Sequence, residues 1–332
     1  MDWPLAVGGA VVGVVVGMTG MGGGALMTPM LVLFFGVQPL AAVSNDLVVT
    51  AFMKPVGGAV HLRKGTVHLD LVRWLMVGSV PAAFGGVVVL KFLVGDSATI
   101  QDVIRSALGA ALLLAATGIA ARAYLPARST GQVATRTAPS ISDRGASTGS
   151  EMASPSEPQG SAETVVVRRR ATVVLGALAG LVVGLTSVGS GSLVVVALLT
   201  LYPALPAARL VGTDIVQAIP LVTAAALAHV IFGDFQMEVA APLLIGSVPG
   251  IWAGAHLSTR APDGLVKWVL AIVLTASALK LFSVPTVVVG WFLAGAAVVG
   301  PSGWLLARTL ARRRSVPHSD GETVPEPVAS AR

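Results

Sequence analysis

Gly17-Met18-Thr19-Gly20-Met21-Gly22-Gly23-Gly24 lies inside an apolar stretch near the start of the chain. Gly184-Leu185-Thr186-Ser187-Val188-Gly189-Ser190-Gly191 repeats it about halfway along. Glycines this dense are costly within a helix, so both stretches are expected to break one. A membrane segment that gives up its backbone hydrogen bonds needs protein or a water-filled cavity around the break. Two such breaks in corresponding halves of a membrane protein point to a transporter's binding site.

The surroundings of the two clusters set the class. Hydrophobic residues make up 54% of the 332 positions and charged residues 11%, with a mean hydropathy of +0.82. That is far from a soluble protein. Stretches near 41–62, 70–93, 104–124, 207–232, 239–258, 265–282 and 286–307 approach the ~20 residues of a bilayer crossing. The N-terminus does not read as a signal peptide, since Asp2 stands where a basic region belongs. The chain has no cysteine, which excludes disulfides and thiol chemistry. Its net charge of +6 comes from basic residues flanking apolar spans, which indicates membrane orientation rather than nucleic acid. No Lys-Ser/Thr follows the glycines, so they are not a nucleotide loop. No ATP-binding segment and no metal-ligand motif is present, and no cofactor is expected.

Residues 125–170 are rich in Ser, Thr, Pro, Ala and Gly and lack apolar periodicity. They read as a disordered linker between a first membrane repeat, 1–124, and a second, 171–284. An additional crossing over 285–310 and a disordered tail over 311–332 complete the chain. The repeat is written in the letters. Pro39 matches Pro206, Asp46 matches Asp214, His61 matches His229 and Gly65 matches Gly233. Gly78-Ser79-Val80-Pro81 recurs unchanged as Gly246-Ser247-Val248-Pro249.

As one helix, residues 4–36 would span about 48 Å, well beyond a hydrocarbon core of ~30 Å. Split at the glycines, they leave two short half-helices able to form a re-entrant hairpin. If the second broken segment re-enters, Lys91, Arg105 and Lys280 alone fall on one face of the membrane. Lys54 lies within it, and every other Lys and Arg falls on the opposite face. If that segment crosses, the basic residues divide almost evenly. The positive-inside rule favours re-entry. The expected fold is therefore an all-α polytopic membrane protein of two homologous, inverted repeats. Each has a glycine-rich broken or re-entrant helix plus three transmembrane helices, and one extra helix follows at the C-terminus. Linker and C-terminus are then cytoplasmic.

This pattern resembles the TauE/SafE family of sulfite exporters and related anion permeases. The resemblance is carried by Gly20 to Gly24 followed by Pro29, by Gly189 to Gly191, and by His61 and His229 trailed by Gly65 and Gly233. It covers roughly 4–124 and 171–282. It implies a multi-pass carrier of the bacterial inner membrane for sulfite, sulfoacetate or another small anion. The chain departs from the pattern at Ser187 and Ser190, which replace glycines, and at Val196, where Pro29 has no counterpart. Ser44-Asn45-Asp46 and Gly212-Thr213-Asp214 stand where the family implies a Gly-Thr-Ser-like triplet.

The residues themselves suggest the site. Glycines at a hairpin tip let backbone N–H groups converge on an anion. Half-helices starting near Ala25 and Ser192 would aim their positive ends there. The expected substrate contacts are Thr19, Gly20, Met21, Gly22, Gly23, Gly24, Thr186, Ser187, Gly189, Ser190, Gly191, Ser192, Asn45, Thr213 and Lys54. Flanking glycines such as Gly13, Gly176 and Gly180 have the spacing of close helix packing instead. Lys54, deep in its crossing, costs about 2.5–3.5 kcal/mol to insert. It is expected either to attract an anion or to pair with Asp46. Asp46 and Asp214 read either as helix caps or as sites of proton or cation coupling, and His61 and His229 as gating or proton-relay positions. The function expected is a secondary transporter for a small anion. An anion channel with a glycine filter and an intramembrane enzyme are the alternatives from other classes.

Overall fold

In the computed structural model, the described residues are 2–19, 23–63, 65, 67–94, 97–124, 167–189, 191, 193–257 and 263–295. Among them no strand occurs. In lipid, a backbone N–H or C=O can be satisfied only within its own helix or by protein, so an apolar chain of this composition folds as helices. The first unit, ending at Ser283, holds two sets of five. The first set is α1 (Trp3–Thr19), α2 (Gly24–Phe34), α3 (Pro39–Arg63), α4 (Leu69–Val94) and α5 (Ser97–Tyr124). The second is α6 (Arg169–Thr186), α7 (Leu193–Leu201), α8 (Ala207–Phe232), α9 (Met237–Leu257) and α10 (Asp263–Leu281). The second unit contains a short apolar helix, α11 (Thr286–Gly295).

The expected crossings match α3, α4, α5, α8, α9 and α10 to within a few residues at most ends. Both glycine clusters fall where one helix stops and the next begins. The half-helices are not both short, however. α1 has 17 residues and α6 has 18, whereas α2 has 11 and α7 has 9. α6 is long and apolar enough to cross a membrane, as are segments of α4, α5, α8 and α9. It also begins at Arg169, inside the stretch read as linker. Each broken segment thus has a long first arm and a short second one.

The two sets are not packed side by side. α1 lies against α9 of the other half, and α6 lies against α4. Backbone touches backbone in both places. A Cβ at Gly9 would strike Leu243, and one at Gly13 would strike Ser247. A Cβ at Gly176 would strike Leu75, and one at Gly180 would strike Ser79. These pairs are equivalent under the sequence repeat. Gly246 against Ala6 and Gly78 against Val173 form another equivalent set. The flanking glycines therefore pack helices, as their spacing predicts. The crossings differ at one step. Gly250 and Gly254 hold α9 to Ala10 and Val14, but Gly250's counterpart is Ala82. There α4 and α6 part around an apolar groove of about 560 Å³, lined by Gly86, Val89, Leu178 and Leu181.

Helix directions follow from these contacts. α1 and α9 run parallel, as do α6 and α4. α3 and α8 run antiparallel, with Ser44 beside His229 and Gly58 beside Ile219. α2 runs antiparallel to α3, since Gly23 lies near Thr50 and Met53 while Thr28 meets Asp46. Apolar cores fill the spaces between. Val12, Met27, Leu31, Val49 and Met53 form one with Leu243 of the second half, and Val195, Leu198 and Leu210 form its counterpart with Leu71 and Leu75 of the first.

Added bulk at the crossings meets main chain, which cannot move aside as a flexible side chain would. Gly13→Leu and Gly180→Leu should each destabilise the protein by at least the ~1–3 kcal/mol of an overpacked core. Thermal unfolding of the purified protein in detergent measures this. The exposed Gly290, with open space around it, is the control expected to tolerate leucine.

Candidate functional site

The turn that ends α6 is built by left-handed backbone. Ser187 has φ 57° and donates its N–H to Val183 O at 2.7 Å. Gly189 and Gly191 follow with φ 114° and 112°, which side chains rarely adopt. On the other hairpin, Gly23 O accepts the N–H groups of Leu26 and Met27 and so opens α2. The two turns touch: Gly24 packs directly on the Ser187 main chain, with no room for a Cβ. Gly23 faces Thr50 and Asp46.

Asp46 is the polar centre of this contact, fully buried. Thr28 donates to its Oδ2 at 2.7 Å and Thr50 to its Oδ1 at 3.2 Å. Ser187 Oγ, also buried, comes close to the same carboxyl without forming a well-shaped hydrogen bond. Asp46 and Asp214 each lie about two turns inside their helices, with no acidic residue in the first turn of either. That overturns the reading of both carboxylates as helix caps. Lys54 lies within electrostatic reach of both.

Other candidates are held by local bonds. Thr19 donates to Val15 O at 2.8 Å and Thr186 to Val182 O at 2.6 Å, each back into its own helix. Asn45 Oδ1 accepts the Gln236 N–H and Thr213 Oγ1 accepts the His68 N–H. These equivalent bonds anchor the chain just before α9 and α4. His229 spans three elements. Its Nε2 meets Gly184 O at 2.8 Å and its Nδ1 meets Ser44 Oγ at 2.8 Å. A carbonyl only accepts, so Nε2 carries a proton and donates it. His61, its repeat counterpart, is half-buried near the end of α3. Gly20, Met21, Gly22, Ser190 and Ser192 lie outside the described residues.

The structure thus joins Gly23, Gly24, Ser187 and Asp46, with Lys54 in electrostatic reach, and adds Thr28 and Thr50, which sequence reading did not single out. Gln217 donates to Ser79 Oγ at 2.7 Å, while its buried Oε1 has no hydrogen-bond partner. Thr50 sits one turn after Asp46, a spacing visible in the sequence. Thr28 reaches Asp46 only because α2 folds back along α3.

Two glycine-broken segments that touch at Gly24 and Ser187 among apolar helices mark a multi-pass membrane protein of the transporter class. The family model for the sulfite exporter TauE/SafE matches residues 5–281, and the chain belongs to that family. It is 36% identical over 273 residues to the probable membrane transporter protein YjnA of Bacillus subtilis (strain 168), an alignment covering 82% of this chain and 96% of that one. No solved structure gives a significant match. The family consists of membrane transporters, so the protein is not an enzyme.

Thr28→Val keeps the shape of the side chain but removes a donor from a buried carboxylate. It should cost about 1–3 kcal/mol. In a thermal-unfolding cycle with Asp46→Asn, the two changes should be non-additive. Simple additivity would show that the hydroxyl does not support Asp46.

Proposed function

We propose that this protein is a secondary transporter that moves a small anion, sulfite or an organosulfonate, across the cell membrane by alternating access. One observation carries the reading: the two hairpin turns converge, Gly24 on Ser187, beside a buried charged cluster. Any anion held between the turns would touch both halves of the chain at once. Relative movement of the halves would then expose it first to one face and then to the other.

The inverted arrangement is part of the proposal, and helix directions support it. A two-fold relation that exchanges the antiparallel α3 and α8 has its axis across them, in the membrane plane. α2 opposes α3, and α7 is its counterpart in the second half, so α1–α2 and α6–α7 act as re-entrant hairpins. Three crossings then remain in each half, an odd number. The linker and C-terminus are cytoplasmic in this reading, as the Lys and Arg distribution favours. Gly23, Gly24, Ser187, Gly189 and Gly191 supply the backbone lining of the anion site, together with Gly20, Met21, Gly22, Ser190 and Ser192. Thr19, Thr186, Asn45 and Thr213 shape it, and Lys54 supplies positive charge. Coupling to protons runs through Asp46 or Asp214, with His61 and His229 as gating positions.

The test is uptake of labelled sulfite into proteoliposomes of the purified protein, with unlabelled anions as competitors. Saturable uptake that competing sulfonates reduce is the expected result. Gly24→Ala and Gly23→Leu, each checked for folding, should lower it at least tenfold. Uptake that never saturates and passes as single-channel current would replace the carrier with a channel.

A further inference from the structure

The two long arms are not gripped alike. α9 is held to α1 through Gly250 and Gly254, whereas on α4 the counterpart of Gly250 is Ala82. From that step onward α4 and α6 separate, and the groove of about 560 Å³ opens between them with an apolar lining throughout. On α6 the lining is one stripe, Val174, Leu178, Leu181 and Leu185, at the spacing of a single helix face. Opposite it, a Cβ added at Gly85 meets nothing within 4 Å. From Val174 to Leu185 the stripe runs about 16 Å, close to the ~15 Å of hydrocarbon in one leaflet. Spread over that length, the volume leaves a cross-section of about 35 Å². A helix ~10 Å across needs more than twice that, whether it comes from this chain or from a second copy. An extended hydrocarbon chain is slender enough.

Charge gathers at one end of this groove. α4 and α6 run parallel, so both helices start there. Arg170 lies one turn before Val174 on the lining stripe. Arg169 places its guanidinium over the Trp74 ring, 5.1 Å from the centroid, and Trp74 lies two turns before Ala82 on α4. Arg168, Arg169, Arg170 and Arg73 are exposed, and Asp70 is the carboxylate that stands with them at this end of the two helices. The balance is positive. The equivalent crossing differs in both respects: α1 and α9 start beside Asp2, Asp234 and Glu238, with no Lys or Arg, and no such groove is lined by their residues. An aromatic ring among arginines belongs at the headgroup level of a membrane, and basic clusters there attract anionic headgroups.

We propose that the α4–α6 crossing holds an anionic phospholipid, with an acyl chain in the groove and the phosphate at Arg169 and Arg170. The chain takes the place of the main-chain contacts that α9 makes with α1 at the equivalent level. The lipid thereby completes the seat of α6. That arm leads into the Ser187 turn, which meets Gly24 of the other half. Lipid at this crossing therefore supports the place where the two broken segments touch. The site stands independently of what the protein transports.

The test uses the full-length protein, delipidated in detergent and titrated with dioleoyl phosphatidylglycerol or dioleoyl phosphatidylcholine. Native mass spectrometry counts bound lipid, and thermal unfolding is followed beside it. Wild type should bind phosphatidylglycerol at least about fivefold more tightly than phosphatidylcholine, and its Tm should rise with the former. Gly85→Phe puts a side chain into the groove from a position with open space around its Cβ, and it should lose the tight phosphatidylglycerol. Should that variant not fold, Val89→Trp, at a half-exposed position of the same lining, takes its place. Arg169→Gln with Arg170→Gln alters exposed side chains, and this pair should bind the two lipids equally. Equal affinity of the wild type for both lipids overturns the proposal. So does phosphatidylglycerol that binds the groove-filled variant as tightly as wild type. A dimer that the groove-filled variant dissociates, with no lipid preference in wild type, would assign the groove to a second copy instead.

Discussion

The fold depends on main chain touching main chain across the two halves. In water, helices associate by hiding apolar side chains, but lipid removes most of that drive and leaves close packing to replace it. Gly9 and Gly13 on α1, and Gly176 and Gly180 on α6, let each long arm lie flush on a helix of the opposite repeat. Neither repeat can complete its own packing alone. The exchange also delivers each broken segment to the interior, where its unsatisfied backbone has protein around it. The glycines in the arms and those at the breaks therefore do separate jobs in one device. The former fix where the latter arrive.

Polar groups inside the bundle obey the same accounting. Ser44, Asn45 and Asp46 are consecutive on α3, buried, and each is bonded in a different direction. Ser44 ties to His229, Asn45 to the loop before α9, and Asp46 to α2. Three adjacent side chains thus join four elements, and one of those elements, α8, is reached through a histidine that also grips α6 at Gly184. A movement of α6 relative to α3 must break or carry the His229 bonds. This gives His229 a mechanical part that its titration chemistry alone does not suggest.

Much of this was legible in the letters. The glycine clusters, the repeated Gly-Ser-Val-Pro and the charge-poor spans locate nearly every helix, because composition and breaks are local properties. The pairing of Asp46 with Asp214 and of His61 with His229 by the repeat also needed only the sequence. What it did not reveal is long-range. Thr28 looks like any threonine in an apolar helix until α2 turns back beside α3. Asn45 and Thr213 look like anion ligands until the loops they anchor are in place. The unequal arm lengths were missed because nothing in α1 or α6 stops a helix before the glycines. Capping fails for Asp46 and Asp214 on the letters as well, since the crossings read there already start before both carboxylates, as α3 and α8 do.

The lack of symmetry at Lys54 has a physical reason once its level in the bundle is known. Most of the site exists twice, yet lysine occurs once, opposite Val222. Two equivalent positions that meet at the same level cannot both be cationic, since paired ammonium groups in a low-dielectric interior would repel strongly. A single lysine there avoids the repulsion and lies equally far along the helices from both carboxylates. The same argument explains why the aspartates can be duplicated. They sit away from the centre, in opposite directions, where the like charges are well separated. Thr28 and Thr50 hold the Asp46 carboxyl with hydroxyls, where Val195 and Ala218 stand at the matching positions of the other half. A duplicated framework with one central cation thus gives an asymmetric electrostatic site from nearly symmetric helices.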